Sequence, residues 1–364
     1  MEILIQVCAD PVIDDGTTIR AKRVFRLLED QFEVSLSGYY RFRCTMPKVK
    51  FLLLFPYWLF KLVRALLKSR SGIVYLCHDR YGFLVAKALQ FIGKYQIIYE
   101  AHAVVSEEYR NRGELARKVR FMHSLEGFVA RHSNYVVALS ENTLEFFKRY
   151  TPNVELIPVF VDTDRYKLDR ETRTRMRRQY EINDVLVGLV GPFTLSSNKH
   201  YLTFLYNNLA RFDERIKFMI VGDCLRREES AKLIYTGYVA DYIDHISCLD
   251  CVLIPSKIPT GGPLNKIVEA MSLGLPVFTT PQGMVGLYHA RPGKDILVFE
   301  EDELAAKLNE LVFNKELMRE VGSNARAAVE SHYSVQANRE KLVSIIGSIL
   351  RPVGGRKDLP GTVS

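Results

Sequence analysis

The sequence predicts an α/β protein made of two doubly wound parallel sheets that face each other across a central cleft. Three observations carry this reading. At 364 residues the chain is long for a single core, so two domains of ordinary size are expected. Its strand-like runs are continuously apolar, as strands covered on both faces must be, instead of alternating between apolar and polar. Nearly every run is followed by a helical pattern, the order of repeating parallel crossover units.

In chain order, EILIQVCA reads as a buried strand. DPVIDDGTTIRAKRVFRLLED follows as a turn and a helix with Ile19, Val24, Leu27 and Leu28 inward. Asp15 and Thr17 are placed to cap that helix. No basic segment with a cleavage site precedes the first strand, which argues against a secretory signal and for a cytoplasmic protein.

Residues 41–70 carry eight basic side chains and no acidic one around the run FLLLFPYWLF. That run is far shorter than the roughly 20 residues of a spanning helix, and Pro56 interrupts it. Two readings of the segment stand side by side: a basic, aromatic surface that lies on an anionic bilayer, and a core helix with its charges in solvent. The formal net charge of +8 sits mainly in this half, where residues 1–160 hold 23 Lys and Arg against 16 Asp and Glu. No basic-aromatic sheet motif, helix-turn-helix or zinc-finger spacing accompanies it, so nucleic acid is not an expected partner.

GIVYLCHDRYG then gives a strand, FLVAKALQFIG a helix, and YQIIYEAHAVV a strand with His102 just past its end. Open parallel sheets hold ligands at that edge. Residues 107–132 form a charged helical region in which Arg110, Arg112, Arg117, Lys118 and Arg120 cluster, on charge alone a solvated face. SNYVVALSENTLEFF reads as a strand, a cap and a helix, and VELIPVFV closes the first domain, 1–161. A charged linker with a short helix spans 162–183.

The second domain, 184–335, opens with VLVGLVGPF and continues through KFMIVGDC, KLIYTGYVAD and CVLIPS to the stretch around which it is organised, TGGPLNKIVEAMSLGLPVFTTPQGMVGL. Gly261 and Gly262 leave backbone N–H groups open at a helix start, where the helix dipole favours an anion such as a phosphate. Lys266 lies in the first turn and Glu269 one turn further on, a cation for phosphates and an acceptor for ribose hydroxyls. The plainer alternative is a solvated i,i+3 pair worth roughly 0.2–0.5 kcal/mol. DILVFEEDELAAKLNELV follows, with its acidic residues read as caps, and 336–364 is a C-terminal helix and tail. Cys248 and Cys251 form a C-x-x-C without a second pair, so they and the four other cysteines are read as reduced core residues.

The segment around Lys266, in the pattern GG-x-x-x-K-x-x-EAM-x-x-G-x-PV, resembles the signature of the retaining glycosyltransferases of family 4 with the GT-B fold, two Rossmann-like domains across a cleft. YTGYVADYIDHISCLDCVLIPS, IPVFVDTDRY and SHYSVQANREKL resemble the family's approach to the site, interdomain link and closing segment. The resemblance implies transfer of a sugar from a nucleotide diphosphate sugar to a glycan or lipid-linked acceptor, by same-face attack and without an obligatory metal or other cofactor. It also implies that His102 contacts the donor sugar, and that Lys266 and Glu269 serve the leaving diphosphate and the ribose. Asn198, Lys199, Gly261, Gly262, Pro263 and Leu264 would line the donor site, and Asp15 and Gly16 the phosphate and acceptor loop. In membrane-associated relatives the region of residues 110–120 receives the acceptor, which would place the protein on the inner membrane face. The chain departs from the family at Gly261, where many members carry a Glu, and at Pro192, where an Arg is expected. An inactive nucleotide-binding partner and a sugar-nucleotide epimerase of the same fold are the alternative readings.

Overall fold

A computed structural model describes residues 2–7, 16–38, 59–60, 63–64, 73–78, 80–91, 95–193, 196–257 and 263–350. Asp15, Gly261, Gly262, Cys8, Cys44 and most of the basic segment 41–70 lie outside the described residues.

The first sheet is built from β1 (Glu2–Val7), β2 (Glu33–Gly38), β3 (Ile73–Cys77), β4 (Tyr95–Ala101), β5 (Tyr135–Ala138) and β6 (Val154–Leu156). All its pairings are parallel, in the order β2-β1-β3-β4-β5-β6. Its helices are α1 (Gly16–Leu28), α2 (Arg80–Leu89), α3 (Val105–Asn111), α4 (Ala116–His132) and α5 (Glu141–Lys148). α6 (Arg170–Gln179) then leads to the second sheet, made of β7 (Val185–Val190), β8 (Ile216–Val221), β9 (Leu233–Gly237), β10 (Cys251–Ile254), β11 (Val277–Thr279) and β12 (Leu297–Val298). This sheet is also parallel, in the order β12-β11-β10-β7-β8-β9. Its flanking helices are α7 (Ser196–Asn208), α8 (Tyr242–Ser247), α9 (Asn265–Ser272), α10 (Glu301–Leu311) and α11 (Lys315–Ala328), followed by α12 (Val335–Leu350).

The apolar runs became strands for the expected reason. All four residues of β10 are fully buried, as are Leu186, Val187 and Leu189 of β7. Ser140 caps α5 by accepting the Thr143 N–H at 3.3 Å. α9 stops at Gly274, whose φ of +71° suits glycine, and the Leu275 N–H donates back to the Ala270 carbonyl at 3.0 Å.

One local expectation is refined and one needs correction. Residues 107–132 form two helices, because Gly113 turns the chain with φ +69° between α3 and α4. Glu300, at the cap position of α10, makes no side-chain capping bond. The acidic residues of that first turn act through the helix dipole instead.

The two halves are joined at several places. Beyond the first sheet, Val161 bridges Ser334, with the Val161 N–H donating to the Tyr333 carbonyl at 2.8 Å and the Val335 N–H to the Val161 carbonyl at 3.0 Å. α12 then packs back on α1, and Arg339 pairs with Asp30 at 2.9 Å. Arg326 of α11 staples the link by donating to the carbonyls of Tyr166 at 2.6 Å and Thr163 at 2.9 Å and to the end of α9.

Candidate active site

In the second sheet the strand order reverses between β7 and β10, the position at which open parallel sheets hold ligands. Two chain segments meet there: Gly191, directly after β7, and the start of α9. The Lys266 ammonium donates to Asn198 Oδ1 at 2.8 Å and lies 4.6 Å from the centre of the Tyr201 ring. Asn198 is fixed in turn by donating to the Pro192 carbonyl at 3.2 Å.

Gly191 makes the cluster fit. Its φ is +142°, and a Cβ there would stand 2.9 Å from Lys266 Nζ and 3.1 Å from Asn198 Nδ2. Any side chain would push the ammonium out of place. Lys266 is only half-buried as a residue, but its ammonium end is enclosed by Tyr201, Asn198 and Gly191. Burial pushes it down to about 7, against the opposing pull of Glu269. The arrangement is a cation held at a helix start with little compensating charge, which is the electrostatic demand that an anion would meet.

Glu269 faces elsewhere and is no part of a solvated pair. It is 5% exposed, and its Oε1 accepts from Arg23 of α1, across the junction of the two halves. Arg23 also donates to the Phe160 carbonyl at 3.0 Å and to Asn265 Oδ1 at 2.9 Å. Tyr242 hydrogen-bonds Glu269, and burial and then that carboxylate raise its hydroxyl well above the usual range. Tyr166 is pushed up to about 12, first by burial and then by Glu269. The carboxylate expected to meet ribose thus sits in a buried network that ties α9 to α1.

Pro263 is buried and Leu264 half-buried at the entry to α9. Lys199 is exposed on α7. Gly16 is the first residue of α1.

His102 follows β4 directly, as expected. The sheet also gathers three side chains that sequence spacing had kept apart, because β3 and β4 are neighbours and their ends carry His78, Glu100 and His102. Arg20, Arg23, His78, Glu100, Gly191, Tyr166 and Tyr242 were all missed as site residues. The one sequence signal was the glycine ending the run VLVG-LVG, where a strand meets a ligand edge.

Residues 24–165 match the family described as Glycosyltransferase Family 4, and residues 184–314 the family described as Glycosyl transferases group 1. A capsular polysaccharide biosynthesis glycosyltransferase, CapM of Staphylococcus aureus, is 20% identical over 209 residues. That match spans 54% of this chain and 54% of the relative, so the likeness extends over about half its length. Among solved structures, HepE of Anabaena in complex with UDP-glucose superposes with a TM-score of 0.73 at 19% identity, over 96% of this chain and all of that one. Sucrose-phosphate synthase of Thermosynechococcus elongatus gives 0.77 at 15% identity, over 96% of this chain and 98% of the other. These similarities confirm the GT-B fold.

Proposed function

Because the chain belongs to the group 1 and family 4 glycosyltransferases, we propose that it moves a sugar from a nucleotide diphosphate sugar to a hydroxyl of a glycan or lipid-linked acceptor, with retention of configuration, in the synthesis of a cell-surface polysaccharide or glycoconjugate. The carrying observation is Lys266, an enclosed cation at the start of α9 and at the switch point of the second sheet. As the bond from the sugar C1 to the diphosphate breaks, negative charge grows on the leaving oxygen, and the ammonium is placed to stabilise it. A C1–O bond to the acceptor hydroxyl forms on the same face, and the hydroxyl proton passes to the departing diphosphate oxygen. Glu269 would serve the ribose through the same network that holds Arg23. No metal is needed for the charge that Lys266 meets.

A thermal-shift screen against nucleotide diphosphates and their sugars, with and without magnesium, tests the donor site. UDP compounds come first, because the HepE complexes carry UDP or UDP-glucose. A ligand at 100 times its dissociation constant adds about 2.7 kcal/mol of stability. The free ammonium at about 7 is largely neutral at pH 8, so binding at pH 8 should take up a proton and binding at pH 6 should not. Calorimetry in buffers of different ionisation heat reads this directly, and Lys266→Met should abolish the uptake. Absence of any shift, or binding without proton uptake, removes the assignment. Binding without transfer would point to the inactive partner, and product without acceptor to the epimerase.

Peripheral membrane attachment is part of the reading. Among the described residues no helix is long and apolar enough to cross a membrane. Leu115 and Phe121 are nonetheless more than half exposed beside Arg117, Lys118 and Arg120, a mixture that suits an anionic bilayer surface. Co-sedimentation with vesicles containing phosphatidylglycerol should be several-fold weaker for Phe121→Ser, and equal binding to neutral vesicles would refute it.

A further inference from the structure

The cluster at the ends of β3 and β4 has a definite proton arrangement. His78 Nδ1 lies 2.5 Å from Glu100 Oε2 and 3.2 Å from His102 Nε2. The other carboxylate oxygen, Glu100 Oε1, accepts from Arg20 Nε at 2.7 Å, and Arg20 is anchored by donating to the Pro158 carbonyl at 2.7 Å and the Ile157 carbonyl at 3.3 Å. Burial opposes ionisation of Glu100, but Arg20 and then His78 hold it well below the usual carboxylate range. It therefore only accepts.

The proton between Glu100 and His78 then belongs to His78 Nδ1. A second proton on His78 Nε2 would be stranded, because that buried nitrogen has no hydrogen-bond partner among the described residues. His102 Nε2 faces the same Nδ1–H and can only accept from it. An imidazole whose Nε2 accepts carries its proton on Nδ1. Burial keeps His102 neutral, pushing it down to about 3 against the pull of Glu100.

We infer that Glu100 and His78 are positioning residues that hold His102 as the Nδ1–H tautomer, so that Nδ1–H is the donor offered to a hydroxyl of the bound donor sugar. This rests on the proposed function, in which His102 meets that sugar. The three ligand-type atoms lie within 4.8 Å of one another, a spacing a divalent metal could span. Arg20 already compensates Glu100, so a dication would leave excess positive charge in a buried cluster, and hydrogen bonding is the better-balanced occupant.

Long-range proton–nitrogen spectra of the full chain with labelled histidine test the tautomer without reference to activity. The expected wild-type pattern is a protonated Nδ1 and a bare Nε2 on His102. In Glu100→Gln, Arg20 holds the amide oxygen, so the amide NH2 faces His78 Nδ1, which then accepts and sends the His78 proton to Nε2 at the cost of leaving it without a partner among the described residues. His102 should then move to the Nε2–H form and turnover should fall about tenfold or more, the wrong tautomer costing up to about 10⁴-fold in the serine protease triad. His78→Ala removes the same donor and should give the same change in His102 if the Gln variant fails to fold. A wild-type His102 protonated on Nε2, an unchanged tautomer in both variants, or stoichiometric metal in the purified protein would overturn the inference. Tautomers that switch as expected while His102→Ala keeps full turnover would instead overturn the sugar contact itself.

Discussion

Lys266→Ala is expected to lower turnover by about a hundred- to a thousand-fold, the usual cost of removing one preorganised electrostatic contact to a developing oxyanion. Its fold should survive and its stability should not fall. The folded-state value of about 7 lies below the ordinary lysine value of 10.5, so the wild-type protein carries the full penalty of burying the charge below pH 7. That handicap fades as pH rises from 7 towards 10.5, where the unfolded chain loses the same proton. The variant should therefore gain most in melting temperature over the wild type at pH 6 and least at pH 10. Turnover within a few-fold of wild type would remove Lys266 from the chemistry.

Arg23→Met should have the largest effect on stability. It leaves the Glu269 carboxylate buried between the two halves without its cation, a change that typically costs about 3–5 kcal/mol. Urea denaturation should show a lower midpoint for Arg23→Met, and Arg23→Met combined with Glu269→Gln should recover much of it. Such a double-mutant cycle isolates the pair from the separate bonds of Arg23 to Phe160 and Asn265. If the single variant is as stable as wild type, the carboxylate has found water and the network is not closed. Donor affinity measured alongside reports whether the ribose competes with Arg23 for Glu269.

The strands were legible because a parallel strand buried on both faces must be apolar throughout, and β7 and β10 are. Ile267, Val268 and Met271 follow one another at helical spacing, and all three are fully buried in α9. The cluster around Lys266 was half legible: Lys266 and Asn198 were named, but not Gly191, whose role is only to leave space. The basic residues of α1 were illegible. Arg20 and Arg23 have the look of a solvated face, yet both are buried, because their carboxylate partners lie 80 and 246 residues away. His78 gave no local sign of its pairing either, because Glu100 and His102 lie at the end of the neighbouring strand β4. Pairings across so much chain leave no local pattern, whereas a helix period or a buried strand does.

The packing of α12 on α1 joins the last described helix to the first. During synthesis α1 emerges early, and the surface it offers to α12 stays uncovered until almost the whole chain has been made. Over the same interval Arg23 lacks Glu269, which belongs to the later half. The nascent first half therefore spends most of translation with an open helix face and an unmatched cation, and the closing segment completes both halves together.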